Sequence, residues 1–147
     1  MKFSFGSDHL GLNLKKQLMA LCGELGHEAV DLGCHDETPV DYPDEGLKVA
    51  RAVAKGEYDR GVLVCGTGIG MAISANKVKG CYAAVCHDIY STERSILSNN
   101  CNVMCLGALV VGPATAQALF RTWALLSFKE SPSRQKINKI IEAENAF

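Results

Sequence analysis

Residues 61–75 read Gly61-Val62-Leu63-Val64-Cys65-Gly66-Thr67-Gly68-Ile69-Gly70-Met71-Ala72-Ile73-Ser74-Ala75, an apolar run, a cysteine, alternating glycines and then a helix-like stretch. A short apolar run followed by a glycine turn and a helix is one strand–loop–helix unit. Glycines at alternate positions let the backbone close on a ligand, and a helix start offers unpaired N–H groups and positive dipole for an anion or oxyanion. A thiol beside such donors serves as a base or nucleophile. Cys65 alone would read as a buried structural thiol, because free cysteine is among the most buried residue types. The Gly-Thr-Gly-x-Gly that follows reverses that reading.

The same alternation extends in both directions. Lys2 to Phe5 precedes a helical pattern from Leu12 to Leu25, Glu28 to Leu32 precedes Gly46 to Ala54, and Gly61 to Val64 precedes Met71 to Lys77. Cys81 to Cys86 then precedes Tyr90 to Leu97, Val103 to Leu106 precedes Ala114 to Leu126, and a last helix is expected over about 134–144. Strand then helix, repeated, predicts an α/β fold: a Rossmann-like, doubly wound, parallel five-stranded sheet with helices on both faces. Gly26 suits the end of the first helix, Pro113 the start of the fifth and Pro132 the start of the last. The longest irregular piece, Gly33 to Pro43, has the length of a binding loop, with Asp41 and Tyr42 facing the site.

Bulk properties narrow the classes. With 147 residues, 48% of them hydrophobic and 21% charged, residues 1–147 suit a single domain with its own core. Lys and Arg number 15 against 16 Asp and Glu, with no basic stripe interleaved with aromatics, which argues against nucleic acid. No apolar stretch approaches the roughly 20 residues that span a bilayer, so the expectation is a soluble, cytoplasmic protein. Seven cysteines with no Cys-x-x-Cys pair argue against a disulfide framework and a zinc ribbon, and the Cys81, Cys86, His87, Asp88 cluster lacks metal-ligand spacing. No metal is expected.

In a doubly wound sheet, ligands bind beyond the carboxyl ends of the strands where strand order reverses. If the first and third strands are neighbours there, Ser7-Asp8-His9 and Cys65-Gly66-Thr67 converge: a carboxylate, an imidazole, a thiol and a glycine nest. Asp8 also suits the cap of the first helix. The glycine run follows the third strand with no acidic companion at dinucleotide spacing, which argues against a nicotinamide cofactor. No Gly-Lys-Ser/Thr ends the run, so it is not a P-loop. Trp123, Phe120 and Leu119 fit a core or dimer face at helical spacing.

Phe5-Gly6-Ser7-Asp8-His9-Leu10-Gly11, Asp41-Tyr42-Pro43, the Cys65 to Gly70 run, Ala75-Asn76-Lys77, Asn99 with Asn102-Val103, and Val110-Val111-Gly112 together resemble the ribose-5-phosphate isomerase B family, which includes galactose-6-phosphate isomerase subunits. The resemblance covers nearly the whole chain in order. It implies a metal-independent, cofactor-free aldose–ketose isomerase of a small sugar phosphate acting through a cis-enediolate. On that resemblance Cys65 is the base and Thr67 assists it. The amides of Gly66, Gly68, Ile69 and Gly70 hold the enediolate oxygen, and Asp8, His9, Tyr42, Asn99, Arg134 and Lys136 contact substrate. It also implies a homodimer with shared active sites, with tetramers as a further possibility.

The chain departs from the family at the ring-opening and phosphate positions. A histidine commonly precedes the Asn-x-x-Asn-Val segment to open a furanose ring; here it is Ser98. Of three phosphate-binding arginines, one position is Leu109, and the tail motif Arg-His-x-x-Arg reads Pro132-Ser133-Arg134-Gln135-Lys136. A hydroxyl does not donate a proton as imidazole does, and leucine or proline does not reproduce a guanidinium fork. Three readings follow: a sugar phosphate that needs no ring opening, such as the erythrulose/erythrose 4-phosphate pair; a pentose or hexose phosphate with the acid relocated to His87 and oriented by Asp88; or a non-catalytic subunit that binds sugar phosphate. Arg134, Lys136 and Lys139 are the available phosphate contacts near the chain end.

Overall fold

Two buried valines, a leucine and a cysteine decide the layering. In β3 (Arg60–Cys65), Val62 and Val64 face one way and Leu63 and Cys65 the other, and all are at most 4% exposed. A strand buried on both faces belongs in the middle of a parallel sheet covered by two helix layers. The computed structural model, which describes residues 1–147, has that arrangement: five parallel strands in the order β2-β1-β3-β5-β4. β1 spans Lys2–Ser7, β2 Glu28–Asp31, β4 Ala83–Val85 and β5 Val103–Gly107.

The Val62/Val64 face packs with Phe3, Phe5, Met104 and Leu106 against α1 (Leu12–Glu24), α4 (Ile89–Leu97) and α5 (Pro113–Leu125). The Leu63/Cys65 face packs with Val103 and Cys105 against α2 (Tyr42–Ala54) and α3 (Ile69–Ala75). The last helix, α6 (Ser133–Asn145), buries Ile137, and Glu144 near its end accepts from Tyr82 Oη (2.9 Å) and the Gly80 N–H (3.1 Å). Trp123 is fully buried in the first core, with its Nε1–H donating to Ser95 Oγ. Arg60 lies 4.9 Å from its ring and donates to the Trp123 and Leu126 carbonyls; burial holds the guanidinium pKa below its usual value. No helix is long and apolar enough to cross a membrane.

Several boundaries differ from the sequence reading. α2 starts at Tyr42 rather than Gly46. Pro43 occupies its first turn, where a missing N–H costs nothing, and Asp44 and Glu45 complement the dipole. α3 starts at Ile69 rather than Met71 because Gly68, at φ 77°, turns the chain in the left-handed region. β4 is Ala83–Val85 rather than Cys81–Cys86: the Tyr82 N–H is taken by Asn102 Oδ1 (2.8 Å), and the Asn76 side chain bonds both N–H and C=O of Ala83 at the sheet edge. Asp8 caps no helix; α1 begins after Gly11, and Asp8 Oδ1 accepts the Gly11 N–H (3.0 Å) in the turn before it.

One buried charge fastens the ends of β1 and β2. Lys15 is fully buried, pairs with Asp31 Oδ1 at 2.7 Å and donates to the Cys34 carbonyl. Asp31 Oδ1 also accepts the Gly33 N–H (2.9 Å), while Ser7 N–H donates to the Gly33 carbonyl and Cys34 N–H to the Ser7 carbonyl. The loop from residue 33 to 41 therefore leaves the sheet beside Asp8.

Candidate active site

β1 and β3 are neighbours, paired Ser7 to Val64, and the sheet order reverses between them. Asp8 follows β1, and its N–H extends the ladder to the Val64 carbonyl (3.2 Å). The turn from Asp8 closes on β3 because residue 11 is glycine: a Cβ there would sit 2.4 Å from the Val64 oxygen. Asp8 and the Cys65 loop thus meet at the carboxyl ends of two adjacent strands, the expected crevice of such a sheet.

There a cavity of about 460 Å³ is walled by Asp8, Tyr42, Cys65, Gly66, Thr67, Ile69 and Gly70, with Leu10, Ile73 and Leu109 at its rim. Cys65 ends β3, is 4% exposed, and its Sγ accepts the Gly68 N–H at 3.1 Å. An amide aimed at a sulfur complements negative charge on it and fixes its position. Thr67 is exposed, and its Oγ1 accepts the Ile69 N–H at 3.3 Å in the turn that opens α3. Gly68 stands behind the wall, where a Cβ would lie 2.9 Å from the Leu106 carbonyl carbon. The Tyr42 ring packs against Gly70, where a Cβ would fall 2.5 Å from two ring carbons. Leu10 and Leu109 both reach to within 3.4 Å of a Cβ position on Gly66.

Burial pushes the Cys22 thiol up to about 11 and the Cys81 and Cys101 thiols up to about 12, and raises Cys86 and Cys105 as well, so these five stay protonated. The larger concavity, about 660 Å³ between α6 and residues 76–82, contains Cys81 of that protonated set beside Lys77, Lys79 and Glu144.

Other residues singled out in the sequence sit elsewhere in the chain. His9 Nδ1 accepts the Val40 N–H (3.3 Å), so the ring ties the 33–41 loop to β1 and is not in the cavity wall. Asn99 lines a separate cavity of about 460 Å³ with Arg94, Tyr82 and the β4 edge, next to Ser98 at the end of α4. Arg134 is engaged by Glu130 (2.7 Å) and lies over the Phe128 ring, and Lys136 is exposed on α6. No Lys, Arg or His side chain of the same chain lines the Cys65 cavity.

The ring-opening role considered for His87 does not fit its contacts. Its Nε2 accepts the Gly107 N–H at 2.8 Å behind the Cys65 loop, and Asp88 does not orient it. The Asp88 carboxylate instead caps α4 through the Ser91 N–H (2.7 Å). Leu10 and Ile73, both more than half-way out to solvent or at it, were not singled out in the sequence as site residues; their signal was a large apolar side chain next to each motif.

A family model described as Ribose/Galactose Isomerase matches residues 3–140. The chain belongs to that family. It is accordingly an aldose–ketose isomerase by class. Ribose-5-P isomerase B of Listeria innocua is 43% identical over 144 residues, covering 98% of this chain and 97% of the relative. D-erythrulose-4-phosphate isomerase 2 of Mycolicibacterium smegmatis is 44% identical over 151 residues, 99% of each chain. The solved structure of Clostridium thermocellum ribose-5-phosphate isomerase B superposes with a TM-score of 0.97 at 44% identity, covering 99% of both chains.

Proposed function

We propose that this isomerase interconverts the aldose and ketose forms of a short sugar phosphate, with a tetrose 4-phosphate (erythrose/erythrulose 4-phosphate) as substrate. The observation that carries the reading is Cys65, which ends β3 in the cavity wall with the Gly68 N–H donating to its sulfur. The Cys65 thiolate removes the C2 proton of the aldose, the electron pair forms the C1–C2 double bond, and the carbonyl oxygen becomes the enediolate oxygen. The thiol then returns the proton to C1 while the C2 oxygen becomes the ketone. Amides of residues 66–70 meet the developing oxyanion, the kind of preorganised donor set that contributes most in such steps. Thr67 moves the proton between the two oxygens, and Asp8 and Tyr42 hold substrate hydroxyls. The transfer balances without an external electron acceptor.

Three observations favour a tetrose. Ser98 replaces the expected ring-opening imidazole, and His87 is engaged by Gly107. A tetrose phosphorylated on its fourth oxygen cannot close a furanose ring, so no acid is needed. One relative at 44% identity is named for erythrulose 4-phosphate.

The cavity of one chain supplies no cation for the phosphate, and its rim residues Leu10, Ile73 and Leu109 are 50–75% exposed. The working unit in this reading is a cytoplasmic homodimer of single-domain chains. The second copy covers that rim and brings His9, Asn99, Arg134 or Lys136 to the substrate, and dimers pair further into tetramers only if an additional face is used. Comparing kcat/KM for erythrose 4-phosphate and ribose 5-phosphate tests the substrate: a preference of tenfold or more for the tetrose is expected. Faster turnover of ribose 5-phosphate would overturn it.

A further inference from the structure

β4 stops at Val85, which pairs Cys105, and the next N–H, that of Cys86, donates to the Cys105 carbonyl at 3.0 Å. β5 runs on to Gly107. Residues 105 and 107 present their backbone groups to the same side, so the Gly107 N–H faces a place the shorter strand no longer fills. The His87 ring fills it, with Nε2 accepting that N–H at 2.8 Å. An imidazole thus stands in for one rung of the ladder.

Gly107 is pressed onto the catalytic loop. A Cβ there would lie 2.6 Å from the Thr67 carbonyl carbon and 2.7 Å from its Cα, contacts with backbone that cannot yield. The next two amides complete the clasp: Ala108 N–H donates to the Cys65 carbonyl (2.8 Å) and Leu109 N–H to the Gly66 carbonyl (3.0 Å). His87 to Gly107 to Thr67 and Cys65 is therefore one continuous set of contacts outside the cavity.

We infer that His87 is a positioning residue of this enzyme, whose neutral imidazole fixes Gly107 and through it the Thr67 backbone and the Leu109 wall for proton transfer. The inference rests on the isomerase reading of the Cys65 loop. The contact works in one protonation state only. A protonated ring presents an N–H to the Gly107 N–H, replacing a hydrogen bond with a donor facing a donor. The groups facing the ring are that uncharged amide from β5 and, from its own turn, Asp88, whose carboxylate is held by Ser91. Burial outweighs Asp88 and keeps the ring pKa below the ordinary histidine value. The clasp is therefore intact above about pH 6.5 and opens as pH falls through the lowered value of the folded ring.

The test uses the full chain, its His87→Gln and His87→Ala variants, the Gly107 amide resonance and pH profiles on erythrose 4-phosphate. In the wild type the Gly107 resonance should move with pH below about 6.5, and turnover should fall with acid more steeply than a single thiol base explains. His87→Gln, which keeps an acceptor near the Nε2 position but does not titrate, should hold the Gly107 resonance constant with pH, remove the extra acid fall and keep kcat close to wild type. His87→Ala should lower kcat about tenfold with little change in KM, the size expected for one lost hydrogen bond. A Gly107 resonance that ignores pH in the wild type, or a kcat within twofold of wild type for His87→Ala, would overturn the inference. If the wild type turns over no sugar phosphate, the isomerase reading falls and this one with it; wild-type turnover with His87→Ala unchanged removes this one alone.

Discussion

The Gly68 N–H points at the Cys65 sulfur from 3.1 Å, and residue 68 is in the left-handed conformation, at φ 77°, where a side chain would meet Leu106 backbone. The donor is thus aimed by a turn that glycine alone makes cheaply. The same turn opens α3, so the first amides of that helix and the orientation of the thiol come from a single piece of backbone.

Gly70→Ala tests the Tyr42 wall. The new Cβ would fall 2.5 Å from the ring, and because Tyr42 is 42% exposed the ring swings outward rather than unfolding the chain. We expect KM to rise about tenfold with a loss of stability under about 1 kcal/mol. In a Tyr42→Ala background, Gly70→Ala should change KM little further, since the pair in contact is not additive. Steady-state kinetics and denaturant unfolding of the four proteins check this.

Leu109→Arg tests the missing phosphate contact. Leu109 is 75% exposed with its side chain over Gly66, so a guanidinium there reaches into the rim of the cavity, where it can pair with a substrate phosphate. A charge-assisted fork at that place should lower KM for a sugar phosphate about tenfold. An unchanged KM would put the phosphate at the other end of the cavity.

Lys15→Met should destabilise the chain by about 3 kcal/mol, because it removes the buried cation from the Asp31 carboxylate, leaving only His35 Nδ1 at 3.7 Å, and takes the donor from the Cys34 carbonyl. Adding Asp31→Asn removes the orphaned charge yet keeps an acceptor for Gly33, so the double variant should be more stable than Lys15→Met alone. Urea denaturation of both resolves the order.

Asp88 sets an acid dependence. The Ser91 N–H that donates to it keeps its carboxyl below the ordinary range, with His87 a smaller contributor. A depressed carboxyl favours the fold where it is ionised. Its contribution is therefore complete above about pH 4 and disappears as pH falls through the lowered folded value. Asp88→Ala should lower Tm by about 2–4 °C at pH 7 and match the wild type at the acid end of the scan.

Period and punctuation make much of the fold readable in the sequence. The continuous apolar run from Gly61 to Val64 and five strand-then-helix units led to the parallel sheet and to helices on both faces. The start of α2 was hidden because Pro43 and its acidic neighbours look the same in a loop and in a helix's first turn. The Asp8 and Cys65 convergence was legible because motifs at strand ends follow from topology, and Tyr42 because it ends the long 33–43 loop. The tasks of His9 and His87 were not: their partners, Val40 and Gly107, are 31 and 20 residues away and are backbone amides that any residue supplies. Asn99 and Arg134 fell outside the Cys65 cavity because α4 and α6 carry them to other surfaces of the same chain.

The most direct test of the account is solvent deuterium incorporation during isomerisation of erythrose 4-phosphate by the wild type and Cys65→Ala. Cys65 is packed in the second core, so unfolding must be followed alongside to show that the variant is folded. The account predicts Cys65-dependent turnover with deuterium entering the carbon that receives the proton, and at least a thousandfold loss in a folded Cys65→Ala variant. A folded Cys65→Ala variant that still isomerises the substrate and exchanges its proton at a comparable rate would contradict it.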